Sequence, residues 1–225
     1  MANDQEKEAA ARASLRFIKD GQVVGLGTGS TAAHFIRLLG EQVKNGFRIR
    51  GIPSSDRSGE QATSMGIPLT TLDECQQIDV TVDGADEVDP QLRLIKGGGG
   101  ALLREKIVAS ATRQLVIVAD ATKRVPVLGM FPLPVEVIKF AQALVVKKIE
   151  ALGAQVALRR DANGKPYLTD ERNHILDCRF GQIPDADVLA RQLSDMPGVV
   201  EHGLFIGMAS VVLVAEGGDV VELRR

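Results

Sequence analysis

The chain's 225 residues, 44% hydrophobic and 25% charged, suffice for one large domain or two unequal ones, and their balance excludes a disordered, fibrous or collagen-like chain. Lys+Arg total 27 against 29 Asp+Glu, a net charge of −2, so the basic footprint that nucleic acid or an anionic membrane surface requires is missing. The longest apolar runs, such as Leu115–Ala119 and Val211–Ala215, fall far short of the ~20 residues that span a bilayer.

The first residues, Met1 to Lys7, are polar and acidic, without the basic and apolar regions of a secretory signal, and a cytoplasmic location is the expectation. Asp4–Lys19 carries apolar residues at Ala9, Ala10, Ala13, Phe17 and Ile18, and Asn3 with Glu6 resembles a capping pair. This predicts a helix, ended by Gly21. Val23–Leu26 reads as a strand that breaks into glycine, serine and threonine before the helical stretch Ala32–Leu39. A strand at Arg48–Ile52, a helix around Gly59–Met65, a strand near Ile67–Thr70 and another at Ile78–Asp83 continue the alternation. Leu92–Ile95 and the run Gly97–Gly100 come next, then a helix over Ala101–Ala111 and a buried-type strand over Gln114–Ala119. This β-α-β-α rhythm predicts a parallel sheet with helices on both faces.

From Met130 the rhythm changes. A strand at Phe131–Val137, a helix at Ile138–Leu152 ended by Gly153, a strand at Ala154–Arg160 and an Asn163-Gly164 turn are followed by a strand at Asn173–Arg179, a helix near Ala186–Asp195 and a strand at Val199–Phe205. The order β-α-β-β-α-β is the ferredoxin-like pattern. Two last strands, Ser210–Ala215 and Val220–Leu223, joined by Gly217-Gly218, are expected to return to the first sheet. The predicted fold is therefore α/β: a doubly wound, Rossmann-like, mostly parallel sheet domain (1–129 and 207–225) with an inserted ferredoxin-like α+β domain (130–206). Cys75 and Cys178 show neither disulfide nor zinc spacing and read as ordinary thiols.

Three motifs carry chemistry, each at the end of a predicted strand. Gly25-Leu26-Gly27-Thr28-Gly29-Ser30-Thr31 combines glycines, hydroxyls and a helix N-terminus, an anion cradle suited to phosphate. Gly27-x-Gly29-x-x-Ala32 also satisfies a dinucleotide fingerprint, while the lysine of a triphosphate-binding loop is absent. The bland alternative is a serine-capped helix after a glycine turn. Asp83-Gly84-Ala85-Asp86-Glu87-Val88-Asp89 places acids just beyond a strand's carboxyl end, where open α/β sheets bind ligands. It fails the calcium-loop pattern, and its bland alternative is a solvated acidic turn. Lys96, the glycines Gly97–Gly100 and then Glu105 supply a cation, a row of backbone amides and a carboxylate, although Glu105 could equally be a solvated residue of a helix's first turn. With only His34, His174 and His202 in the chain, neither a hydrolytic triad nor a zinc site is indicated.

Taken together, Gly27-Thr28-Gly29-Ser30-Thr31-Ala32-Ala33, Ser54-Ser55-Asp56, Asp83-Gly84-Ala85-Asp86-Glu87, Lys96 with its glycines, Arg104-Glu105-Lys106, Ala119-Asp120-Ala121-Thr122-Lys123, Phe131-Pro132-Leu133-Pro134-Val135-Glu136-Val137 and Pro197-Gly198-Val199-Val200 resemble ribose-5-phosphate isomerase of the A type. The resemblance implies interconversion of ribose 5-phosphate and ribulose 5-phosphate through an enediol, in the non-oxidative pentose phosphate pathway, without a metal or organic cofactor. It implies Glu105 as the base, Asp83 and Asp86 as an acidic pair handling the sugar hydroxyls, and Lys96 as the stabiliser of the enediolate oxygen. Thr28, Gly29, Ser30, Thr31, Gly84, Ala85, Gly97, Gly98, Gly99 and Lys123 match the remaining ligand-binding positions. Gly100 stands where many members carry alanine, which is expected to loosen the loop. The expected partner is a pentose 5-phosphate, with no nucleic acid or membrane, in a homodimer or homotetramer formed through the inserted domain.

Two other functions compete. A sugar-phosphate sensor on the same fold would need a DNA-binding unit, for which neither the residues before Val23 nor the charge leave room. An NAD-dependent enzyme would use the fingerprint from Gly27 with Asp56 as the ribose-binding acid, leaving Lys96 and Asp83 without a role.

Overall fold

The structure is a computed structural model that describes residues 2–224. In chain order its first elements are α1 (Ala2–Ser14), β1 (Val23–Leu26), α2 (Ser30–Lys44), β2 (Arg50–Pro53), α3 (Asp56–Ser64), β3 (Ile78–Asp83), β4 (Glu87–Val88), β5 (Leu94–Ile95), α4 (Leu102–Ser110) and β6 (Thr112–Asp120). There follow β7 (Leu133–Val137), α5 (Gln142–Ala151), β8 (Gln155–Leu158), β9 (His174–Arg179), α6 (Ala186–Ser194), β10 (Val199–His202), β11 (Leu204–Phe205), β12 (Ala209–Glu216) and β13 (Asp219–Arg224). The chain clusters into two compact units. The first takes the residues up to Ala85, Arg104–Arg124 and the chain from Met208, and the second takes Asp86–Leu103 and Val125–Gly207. Residues 86–103, continuous with the first domain in the sequence pattern, thus cluster with the second unit, where β5, paired with β4 on one side, finds a second partner in β11.

The first unit is built on a six-stranded sheet in the order β13-β12-β6-β3-β1-β2. All neighbours pair in parallel except β13, which closes the edge as an antiparallel hairpin with β12. The returning terminal strands thus join the first sheet, as their apolar content and the Gly217-Gly218 turn suggest. Val23–Leu26 and Leu115–Ala119 are apolar without interruption because both faces of these strands are covered. On one face Phe35, Ile36, Leu38 and Leu39 of α2 pack with Val24, Leu26, Val80 and Val82. On the other, Val108 of α4 meets Val23, Ile52 and Ile78. The predicted doubly wound sheet is present.

The second unit contains a four-stranded antiparallel sheet in the order β10-β7-β9-β8, with α5 and α6 in the connections, which is the ferredoxin-like arrangement. A small sheet, β11-β5-β4, lies beside it within the unit.

Local chemistry explains where the elements depart from the sequence pattern. The expected strand Ile67–Thr70 reduces to one bridge between Gly51 and Leu69. Gly51 N–H donates to Pro68 O at 2.8 Å and Thr70 N–H to Gly51 O at 2.9 Å, but the next rung would require the N–H that proline lacks. The expected strand Val199–Phe205 breaks at Gly203 into β10 and β11, which belong to different sheets. Gly203 N–H donates to Pro134 O at 2.8 Å and its carbonyl accepts from Lys96 N–H at 2.9 Å. A Cβ there would fall 2.3 Å from Lys96 O, so only glycine permits this crossing. The helix expected from Ile138 begins as a 3₁₀ turn, Lys139–Ala141, before α5. At the N-terminus the helix starts at Ala2, and the Asn3 side chain of the expected capping pair lies outside the described residues. Among the described residues no helix is long and apolar enough to cross a membrane.

Candidate active site

In the first sheet β1 leads outward to β2 on one side, while β3 leads to β6 on the other. The winding therefore reverses between β1 and β3, and ligands of open α/β sheets bind beyond the carboxyl ends of the strands at such a point. Leu26 pairs with Val82, so the glycine loop after β1 and the acidic motif after β3 emerge side by side.

Their contact is close. Asp83 is 2% exposed, and its Oδ1 accepts N–H bonds from Thr28 at 3.0 Å and Gly84 at 2.7 Å, which fixes the carboxylate's orientation. A Cβ on Gly27 would lie 2.2 Å from that oxygen, so this glycine is what lets the acid reach the loop. The solvated acidic turn is thereby excluded for Asp83. Gly29 has φ 108° and caps α2 without any side-chain cap bond, so the serine-capped helix is excluded too. The start of α2 presents its amides beside Ser30 and Thr31, and helix N-termini of this kind hold anions.

The hydroxyl of Thr28 turns inward, 2.8 Å from both Ser54 Oγ and Ser55 Oγ. Ser54 is in turn bonded to Leu26 O, and Ser55 forms a capping box with Ser58 at the start of α3. These serines tie the loop to α3, a role invisible before the fold brought β2's end beside β1's. Asp56, the acid that an NAD enzyme would offer to a ribose, instead accepts from Arg104 Nη1 at 2.7 Å.

Glu105 sits in the first turn of α4 and is 5% exposed, which excludes the solvated helix residue. Val108, one turn on, packs against Val23 and Ile78, the first residues of β1 and β3. The helix therefore descends toward the amino edge of the sheet, and its first turn is directed to the carboxyl edge. Beyond β6, Asp120 caps a 3₁₀ turn, Ala121–Lys123, by accepting from Thr122 N–H at 3.1 Å, and this turn carries Lys123.

Ala85 is the last residue of the first unit's opening stretch, and the remaining predicted residues, Asp86, Lys96 and Gly97–Gly99, belong to the second unit. Asp86 Oδ2 accepts from Gly98 N–H at 2.7 Å, and a Cβ on Gly98 would stand 2.5 Å from Asp86 Oδ1. Gly97 and Gly100 have φ 101° and 87°, and Gly100 N–H closes a turn on Gly97 O at 3.0 Å. Gly100 does not loosen the loop as expected. A Cβ there would fall 2.3 Å from Tyr167 Oη, so the tyrosine packs on it. Lys96 is 1% exposed, with Nζ 5.4 Å from the centroid of the Phe205 ring, a cation–π distance. Cys178 offers no nucleophile: burial, reinforced by Asp177, pushes its thiol up to about 12.

Comparison with known proteins points to one family. A family model described as Ribose 5-phosphate isomerase A (phosphoriboisomerase A) fits residues 50–219. Ribose-5-phosphate isomerase A of Parvibaculum lavamentivorans is 53% identical over 229 residues, covering 98% of this chain and 99% of its own. The solved structure of a D-ribose-5-phosphate isomerase in complex with phospho-erythronic acid superposes with a TM-score of 0.97 at 41% identity over 100% of both chains. Ribose 5-phosphate isomerase A of Methanocaldococcus jannaschii gives 0.95 at 40% identity, over 99% of this chain and 100% of that one.

Proposed function

The chain belongs to the ribose 5-phosphate isomerase A family and interconverts D-ribose 5-phosphate and D-ribulose 5-phosphate, a reaction in which we propose that Glu105 is the base. The observation that carries this assignment is a carboxylate 5% exposed in the first turn of α4, the end of the helix on the side of the strand ends where ligands of this architecture bind. Glu105 removes the proton from C2 of the open-chain aldose. The C2–H electron pair becomes the C1=C2 bond, and the carbonyl π pair moves onto O1. Passage of the O2 proton to O1, as the O2 pair forms the C2 carbonyl and Glu105 returns its proton to C1, gives the ketose.

The remaining residues serve the charge that develops on O1 and O2. Lys96 stabilises the enediolate oxygen, and Asp83 and Asp86 exchange hydrogen bonds with the hydroxyls between which protons move. The amides of Gly29, Ser30 and Thr31 with Lys123 hold the phosphate, and Thr28, Gly84, Ala85 and Gly97–Gly99 complete the ligand contacts. The relative with phospho-erythronic acid supports this reading, because a phosphorylated acid joins a phosphate to a planar anion shaped like an enediolate.

These groups supply acid, base and electrostatic stabilisation by themselves, so no metal or organic cofactor enters the scheme. The protein works in the cytoplasm as a homodimer formed through the second unit. There Ile138, Phe140 and Leu144 are exposed, Phe140 at 98%, an apolar patch that self-association would cover. A direct assay of ribulose 5-phosphate formation, with and without chelator, tests the function: equal turnover in both is expected, and a chelator-sensitive or absent reaction contradicts it. Equilibrium dialysis should show binding of ribose 5-phosphate and none of NAD.

A further inference from the structure

The glycine loop after β5 is gripped from behind by a side chain that belongs to none of the chain's motifs. Arg159 follows β8. Its N–H donates to Ile175 O and its carbonyl accepts from Tyr167 N–H, both at 2.9 Å, so its backbone is fixed on two sides. The side chain is 14% exposed. Asp177 on β9 takes one edge of the guanidinium, with Nε to Oδ2 at 3.1 Å and Nη2 to Oδ1 at 2.5 Å. The remaining corner, Nη1, donates to Gly97 O at 2.9 Å and Gly98 O at 3.1 Å.

Peptide geometry turns this grip into an orientation. In a trans peptide the C=O and the following N–H point in opposite directions, and the described chain has no cis bond. With Gly97 O turned to Arg159, Gly98 N–H must face away, and there it donates to Asp86 Oδ2 at 2.7 Å. One peptide unit thus lies head to tail between a guanidinium and a carboxylate, its dipole aligned with both charges. With Gly98 O also turned to Arg159, Gly99 N–H is directed away from Arg159 as well.

We propose that Arg159, anchored by Asp177, is a positioning residue of the isomerase: by holding the Gly97 and Gly98 carbonyls it aims the Gly98 amide at Asp86 and the Gly99 amide toward the substrate. This deepens the functional reading above and rests on it, since Asp86 and these amides are taken there as substrate contacts. Arg159 touches no reacting atom. Its effect is on the enediolate stage, where correctly directed donors matter most, and not on ground-state capture of the phosphate, which other loops perform.

The test compares Arg159→Met and Arg159→Lys with the wild type. For R159M kcat should fall on the order of 100-fold, with KM changed by no more than about threefold. R159K should recover part of the loss, because an ammonium can reach one carbonyl but cannot also fork onto Asp177. Hydrogen exchange of the peptide spanning 96–102 should accelerate in R159M. Wild-type kcat in a folded R159M, or equal impairment in R159M and R159K, overturns the proposal. If R159M does not fold, Asp177→Asn, which keeps the guanidinium but releases its anchor, must lower kcat with KM preserved, and unchanged kcat overturns the proposal equally. A wild type that fails to convert ribose 5-phosphate instead removes the functional reading, and the exchange measurement then decides the clamp alone.

Discussion

A Cβ on Gly27 would stand 2.2 Å from Asp83 Oδ1 and 2.6 Å from its Cα, and neither atom can retreat, because the carboxylate is bonded to two amides and the Cα lies in β3. Gly27→Ala should therefore displace the acid by an ångström or more without unfolding the sheet. We expect kcat/KM to fall about 100-fold with an unchanged far-UV circular dichroism spectrum, and near-normal activity would show that the position of Asp83 is immaterial. Residues of this kind were legible in the sequence because their chemistry sits in contiguous motifs: a glycine beside an acid, or a lysine before glycines. Arg159, Ser54 and Tyr167 were not legible as parts of the site. Their partners lie far away along the chain, and no spacing rule connects an arginine after β8 with a glycine loop after β5.

At the scale of elements, β7 carries a polar anomaly within the ferredoxin-like sheet. Glu136 is 1% exposed in a strand whose other residues are all buried. Its Oε1 accepts from Thr169 Oγ1 at 2.9 Å and Asn173 Nδ2 at 3.0 Å, tying the 169–173 loop to the strand. Burial raises its pKa, and Glu171 and Asp170 add to the rise, against the lowering by the two hydrogen bonds. A carboxyl raised in the folded state favours folding fully below its ordinary value near 4.5. That contribution is lost as pH climbs through the folded pKa. Glu136→Gln keeps an oxygen for both donors and removes the titration. The denaturation midpoints of variant and wild type should coincide near pH 4 and separate above about pH 5, with the variant the more stable at neutral pH. Parallel profiles would contradict the assignment.

The same scale shows why most elements could be read in advance. The bounds of β1 match the pattern because a buried parallel strand is apolar without interruption, and those of β3 match although Asp79, Thr81 and Asp83 alternate with its apolar residues. The failures at Ile67–Thr70 and at Gly203 have single-residue causes, a missing proline N–H and a backbone crossing. Their effect depends on which strand lies alongside.

For the whole molecule, the chain leaves the first unit after Ala85 and returns at Arg104. The first passage falls between Asp83 and Asp86, and the second falls between the Lys96 loop and Glu105. The rhythm of the sequence showed two architectures but not this exchange, because β4 and β5 are two-residue strands and the outer partner of β5, β11, is supplied more than a hundred residues later. The self-association proposed for the second unit belongs to this scale too. Phe140→Glu should convert the dimer to a monomer in sedimentation, and an unchanged mass would place the interface elsewhere. What unites these parts in the proposed mechanism is the transfer of a single proton by Glu105. The most direct measurement is steady-state conversion of ribose 5-phosphate to ribulose 5-phosphate by Glu105→Gln beside the wild type, with folding checked by circular dichroism and ligand binding by calorimetry. We expect turnover to be abolished while folding and binding persist, and retention of more than a few per cent of wild-type turnover would contradict the assignment of Glu105 as the base.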